Sequence, residues 1–199
     1  MGTLVNLPNK LTVLRMIFVI PFITFLSLFL FYGDGKFSSI NYSNKETMWL
    51  YLSGIVFVLA MLTDWLDGFL ARKNNQITSF GKLFDPLADK IITTTAMIFL
   101  LLFNYTYVWL VLIFILRDVL VDGSRNLAAV KKLKIEASIY GKLKTVLQSI
   151  AIILLFFITP IISQENIIWL NIPLIIAALM SIFSGLLYFK QIIPHIEMK

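Results

Sequence analysis

The 199-residue chain has no cysteine and a single histidine, and only 14% of its residues are charged. The first absence excludes disulfides, thiol nucleophiles and cysteine-ligated zinc or iron–sulfur centres. The second leaves little room for imidazole chemistry, because His195 follows Pro194 near the C-terminus, where a surface role is expected. No G-x-x-x-x-G-K-[ST] loop is present, so a nucleotide would not be held as in P-loop enzymes. Internal repeats, low-complexity tracts and linkers are also missing, and one domain over 1–199 is expected.

What the chain has in excess is apolar length. Hydrophobic residues make up 59% of it and the mean hydropathy is +0.87, whereas globular chains hold roughly 45–50% apolar residues. They form charge-free stretches from Met16 to Gly33, Thr47 to Thr63, Ile91 to Leu116, Thr145 to Gln164 and Asn166 to Phe189. About 20 apolar helical residues cross a bilayer core. The third stretch is too long for one helix and divides at Asn104-Tyr105-Thr106-Tyr107, a polar and aromatic cluster suited to an interfacial turn. The expectation is an all-α integral membrane protein of six transmembrane helices, over 11–32, 47–72, 86–103, 106–130, 142–162 and 167–190, with a short interfacial segment at 1–10. That segment lacks the apolar region and cleavage site of a signal peptide, so the first span is expected to stay.

The net charge of +6 would suit a nucleic-acid binder, but the hydropathy points to a membrane protein with one basic face, and no nucleic-acid partner is expected. Only Lys36 and Lys45 fall in the loops after spans one, three and five, while Arg72, Lys73, Lys82, Lys131, Lys132 and Lys134 crowd the other side. By the positive-inside rule both termini are cytoplasmic, and the location is the cell membrane.

Four aspartates stand where a membrane protein tolerates few. Span two ends Asp64-Trp65-Leu66-Asp67-Gly68-Phe69-Leu70-Ala71-Arg72, and span three opens Gly81-Lys82-Leu83-Phe84-Asp85-Pro86-Leu87-Ala88-Asp89. Spacings of three and four place each pair on one helix face, and the hairpin can bring the pairs together. Pro86 suits the first turn of a helix, with Asp85 as its cap. Converging carboxylates at low dielectric repel, so they demand compensation. A hard divalent cation supplies it, and oxygen-only ligands point to magnesium or manganese. The plainer alternative pairs the aspartates with Arg72, Lys73, Lys82 and Lys90. Gly68 and Ala71 leave a small surface beside Asp67, open to a planar group or to close helix packing.

Read together, positions 64 to 89 spell D-x-x-D-G-x-x-A-R, eight residues, then G-x-x-x-D-x-x-x-D. This pattern resembles the signature of the CDP-alcohol phosphatidyltransferases, with every fixed position present. The resemblance implies that Asp64, Asp67, Asp85 and Asp89 hold divalent metal, Mg2+ or Mn2+ and two ions in all, with Asp89 also the general base. It further implies that CDP-diacylglycerol lies against Asp67, Gly68, Ala71, Arg72 and Gly81, and that the enzyme sits among membrane lipids as a homodimer.

A second charged cluster joins Arg117-Asp118 and Arg125 in span four to Gly141-Lys142-Leu143-Lys144-Thr145 at the start of span five. Arg117 and Arg125 are eight apart, just over two turns, and can face one cavity. Basic groups beside an anionic metal site suit an acceptor phosphate held by Arg117, Arg125 and Lys142. Alternatively, Arg117 neutralises Asp118 or Asp122. The opening Asn6-Leu7-Pro8-Asn9-Lys10-Leu11-Thr12-Val13-Leu14-Arg15 is similar to that of the family's phosphatidylglycerophosphate synthase branch, as are Arg117-Asp118, Ser124-Arg125 and Gly141 to Thr145. This implies glycerol 3-phosphate as acceptor, although Asp122-Gly123 stands where that branch often has Thr-Gly or Thr-Ala. Inositol phosphate, phosphatidylglycerol or serine are the other acceptors to consider. From a different class, a divalent-cation transporter would also place acids in a helical bundle, but its polar groups should occur at several depths rather than near one face.

Overall fold

The computed structural model describes residues 7–32, 44–73, 79–130, 139–162 and 166–193. They form six α-helices, α1 (Leu7–Tyr32), α2 (Asn44–Lys73), α3 (Ser79–Leu102), α4 (Val108–Val130), α5 (Ile139–Ile158) and α6 (Ile167–Ile192). Four contain runs long and apolar enough to cross a membrane: Asn9–Tyr32, Thr47–Leu70, Ile139–Ile158 and Ile167–Ile192. Helices α3 and α4 have 24 and 23 residues, enough for about 35 Å at 1.5 Å per residue, but their charges make them less apolar.

The surface of the bundle is far more apolar than that of a water-soluble protein. Ile20, Phe31, Leu179 and Leu186 are more than 60% exposed, whereas Arg15, Ser53, Asn171 and Ser181 are fully buried. Large apolar side chains facing outward, with an arginine and several polar groups enclosed within an otherwise apolar core, are stable when the solvent is lipid. This is an all-helical integral membrane protein.

Helix α1 packs most extensively on α2, α5 on α6, and α4 on α6. The centre is aromatic: Phe22 of α1, Phe57 of α2 and Phe156 of α5 meet with ring centroids 5.9–6.2 Å apart. Gly54 lets α2 lie close to α5, since a Cβ there would come within 3.1 Å of the Phe157 ring.

The long apolar stretch does divide at residues 104–107. Asn104 adopts φ 58°, a left-handed conformation that asparagine tolerates better than most residues. The turn is held by α6: the Thr106 hydroxyl donates to Asn171 Oδ1 at 2.8 Å, and Asn171 Nδ2 donates to the carbonyls of Tyr105 at 2.9 Å and Ile167 at 3.0 Å.

Several helix ends differ from expectation by a few residues. Helix α1 begins at Leu7, so Asn9 and Lys10 belong to it. Helix α3 begins at Ser79, which puts Pro86 in the helix interior rather than in its first turn. Proline there removes one backbone donor; the signature segment is helical before it as well as after it. Helix α5 stops at Ile158, just before Pro160, and Ile161 N donates to Ile158 O at 2.9 Å in the closing turn.

Ion pairs and hydrogen bonds join the N-terminal ends of α1, α3 and α5 to the C-terminal ends of α2, α4 and α6. The charged chemistry of the chain therefore gathers at one end of the bundle, and the Asn104 turn lies at the other.

Candidate active site

Two polar regions meet at that end. The first is built on α1, α2 and α3. In the opening turns of α1, Asn9, Thr12 and Arg15 recur every three residues on one face, and all are buried, Arg15 completely. Nη1 of Arg15 lies 2.7 Å from Asp64 Oδ1, and its Nη2 donates to Asp67 Oδ2. Thr12 Oγ1 donates to Asp85 Oδ1 at 2.5 Å. Three signature aspartates are thus tied to one face of the first helix. The fourth, Asp89, differs: its Oδ1 is buried and accepts no hydrogen bond among the described residues.

Of the four counter-ions in the plainer alternative, only the Lys90 side chain is described. Lys90 pairs with Asp122 on α4 rather than with a signature aspartate, and Arg15 neutralises Asp64 and Asp67. Lys73 and Lys82 have side chains outside the described ones, as do Ala71 and Arg72 in the last turns of α2. Gly68 is half-buried on α2 beside Asp67, and Gly81 is buried in the first turn of α3. Among the described residues no three acidic or histidine side chains close into a group that could hold a metal ion. The donor chemistry nonetheless fits one. All four carboxylates offer hard oxygen ligands, and a buried carboxylate oxygen without a donor, as at Asp89, calls for a cation or a proton.

The second region is a cavity of about 220 Å³ between α3, α4, α5 and α6, with Asp89 in its wall. Arg117, Arg125 and Lys142 all line it, as do Lys90, Asp118, Asp122, Lys144, Ser184 and Tyr188. The three basic residues expected to share a cavity do share one, but they are not equivalent. Arg117 is fully engaged: Nη1 donates to Asp118 at 3.0 Å, Nη2 to Ser184 Oγ at 3.1 Å and Nε to the Ser181 carbonyl at 3.4 Å. Asp118 also accepts two bonds from the buried Lys144 ammonium, at 2.8 and 3.0 Å. Arg117, Asp118 and Lys144 therefore form one closed network that bears a net positive charge. Arg125 lies over the Tyr188 ring, 5.7 Å from its centroid, with its side chain exposed. Lys142 is exposed and has no ion pair among the described residues.

Asp89 joins the two regions. Asp64 and Arg15 on one side, and Lys144 and Asp118 on the other, are close enough to act on it electrostatically. A carboxylate with an open oxygen in the wall of a cationic cavity can accept a proton from a hydroxyl whose own molecule carries a negative group.

Comparison with known proteins decides the family. A model of the CDP-alcohol phosphatidyltransferases matches residues 5–183. The chain belongs to the CDP-alcohol phosphatidyltransferase family. Curated relatives include a Mycoplasma pneumoniae protein, 34% identical over 98% of this chain and 90% of its own. One from Bacillus subtilis is 34% identical over 94% of both chains, and one from Rickettsia typhi is 40% identical over 93% of this chain and 96% of its own. Each of these three is named CDP-diacylglycerol–glycerol-3-phosphate 3-phosphatidyltransferase.

Sequence reasoning missed Thr12 and Arg15 as parts of a phosphatidyltransferase site, because their partners lie 49 to 73 residues away. The available signal was the three-residue recurrence of Asn9, Thr12 and Arg15 at the head of an apolar helix. Lys90 and Tyr188 were also missed as cavity residues; only packing reveals that they face Asp122 and Arg125.

Proposed function

We propose that this phosphatidyltransferase moves the phosphatidyl group of CDP-diacylglycerol to glycerol 3-phosphate, giving phosphatidylglycerophosphate and CMP. The observation that carries the proposal is the cavity itself, where Asp89, a carboxylate with an open buried oxygen, shares a wall with Arg125 and Lys142. An acceptor with both a hydroxyl and a phosphate matches that pairing, and serine or another acceptor without phosphate would leave the cations unused. The names of the relatives support the same acceptor.

In this reading Asp64, Asp67, Asp85 and Asp89 hold Mg2+ or Mn2+, as two ions. When bound, the metal neutralises charge on the transferring phosphate. Asp89 takes the hydroxyl proton as the acceptor attacks. Asp67, Gly68, Ala71, Arg72 and Gly81 receive the cytidine nucleotide, with the two small residues admitting it close to the backbone. Arg125 and Lys142 hold the acceptor phosphate, and Arg117 supports them through its network with Asp118 and Lys144. All six helices cross the membrane as a single domain, the positive-inside pattern places the site at the cytoplasmic face, and the active form is a homodimer.

The test is magnesium-dependent CMP release by the purified protein in detergent, comparing glycerol 3-phosphate, inositol phosphate, serine and phosphatidylglycerol. Release with glycerol 3-phosphate alone is expected. Release with a different acceptor keeps the chemistry and overturns the substrate; no release with any returns the divalent-cation transporter reading. Asp89→Asn should abolish turnover while the protein remains folded.

A further inference from the structure

We propose that Arg15 competes with the divalent cation for the acidic site: its guanidinium bridges Asp64 and Asp67, and binding of the metal displaces it. This rests on the metal reading given above and assigns a positioning role to a residue outside the aspartate signature.

Three observations carry it. First, position. Arg15 touches two of the four signature aspartates at once, and it is the only cation that does so among the described residues. A cation lodged between two carboxylates on one helix face occupies the electrostatic minimum that a divalent ion would seek. Second, burial. The Arg15 side chain is 0% exposed and that of Asp67 5%, so this pair is little screened even though Asp64 is 43% exposed, and the acidic cluster would repel itself if Arg15 were absent. Third, incomplete satisfaction. A guanidinium offers five N–H donors, and a buried arginine with a purely structural role fills most of them. Among the described residues Arg15 makes one hydrogen bond, from Nη2 to Asp67; Nε has no acceptor there, and Nη1 reaches Asp64 as an ion-pair contact without hydrogen-bond alignment. The contrast with Arg117, which uses Nε, Nη1 and Nη2, is direct. Arg15 is held by charge more than by geometry, as befits a group that must let go.

Thr12 completes the arrangement. Its hydroxyl occupies one oxygen of Asp85 from the same helix face, one turn before Arg15. The first helix thereby contacts three of the four signature carboxylates from one face.

The experiment measures Mn2+ binding to the full-length protein in detergent, by the loss of the free-ion resonance signal, for the wild type, Arg15→Gln and Asp64→Asn. It also records thermal midpoints with and without Mn2+. The expected result is that Arg15→Gln binds Mn2+ about tenfold more tightly than the wild type, since a charge-assisted competitor has gone. Its metal-free midpoint should fall, and Mn2+ should raise that midpoint by more than it does in the wild type. Equal or weaker Mn2+ binding in Arg15→Gln, with wild-type binding intact, overturns the exchange and makes Arg15 a permanent clamp. Should Arg15→Gln not fold, Arg15→Lys replaces it. A single ammonium cannot span two carboxylates as the planar fork does, so binding about threefold tighter than wild type is expected, and unchanged binding overturns the proposal. Absence of Mn2+ binding in the wild type, with Asp64→Asn indistinguishable from it, refutes the metal reading itself.

Discussion

Asp118→Asn isolates the energetics of the network behind the cavity. Its carboxylate accepts one bond from Arg117 and two from Lys144, at 2.8 to 3.0 Å. The side chains of Lys144, Arg117 and Asp118 are 5%, 14% and 19% exposed, so the substitution leaves two cations facing each other with little water to screen them. Removing one partner of a buried pair costs about 3–5 kcal/mol, and the partial exposure of Asp118 places the expected loss at the lower end, about 3 kcal/mol. For a chain of this size, 2–4 °C per kcal/mol gives a fall in midpoint of roughly 6–12 °C. The absence of cysteine rules out thiol-reactive dyes, so unfolding is followed by tryptophan fluorescence in detergent. The double variant Asp118→Asn with Lys144→Met should recover at least half of the lost stability, because one uncompensated charge goes with its partner. A fall of less than about 3 °C in the single variant, or no recovery in the double, would refute the assignment of a closed buried network.

Other consequences follow from the same geometry. Arg125→Ala should raise KM for glycerol 3-phosphate by about tenfold or more with a smaller change in kcat, as expected on losing one charge-assisted contact, and an unchanged KM would remove Arg125 from the acceptor site. Asp122→Asn releases Lys90 from its ion pair at the cavity wall; a lower KM for glycerol 3-phosphate is expected, checked by steady-state CMP release, and a higher KM would mean that the pair organises the cavity. Asn171→Leu deletes three hydrogen bonds at the far end of the bundle and should lower stability by about 2 kcal/mol while KM stays constant.

The helix pattern and the chemistry of the site were legible in the sequence for different reasons. Long charge-free runs predict helices through bulk hydrophobicity, and the break at Asn104 was visible because a polar cluster interrupted one such run. The ends were less visible. Pro86 in a helix interior contradicts local propensity, and packing of the signature segment against α1 overrides it. The signature aspartates are local in sequence, and so are their spacings; Arg117, Arg125 and Lys142 were grouped by charge and do line one cavity. What charge alone could not rank was which of these cations is already spent. Arg117 is committed to Asp118, Ser181 and Ser184, and that depends on α6, more than 60 residues downstream. The partnership of Arg15 with Asp64 and Asp67 was hidden for the same reason, since residues on separate helices leave no periodic trace.

The last helix has a bearing on how the chain is made. Thr106 and the Tyr105 carbonyl wait for Asn171, and Arg117 waits for Ser181 and Ser184, at separations of 64 to 67 residues. At roughly 5–20 residues per second of synthesis, these groups spend several seconds in or near the membrane without their final partners. A product truncated before α6 would keep five helices and every signature aspartate, yet leave the Thr106 hydroxyl without Asn171 and Arg117 without the Ser181 and Ser184 acceptors. Polar groups without partners are costly in lipid, so α6 supplies what the α3–α4 turn and Arg117 need to be stable there.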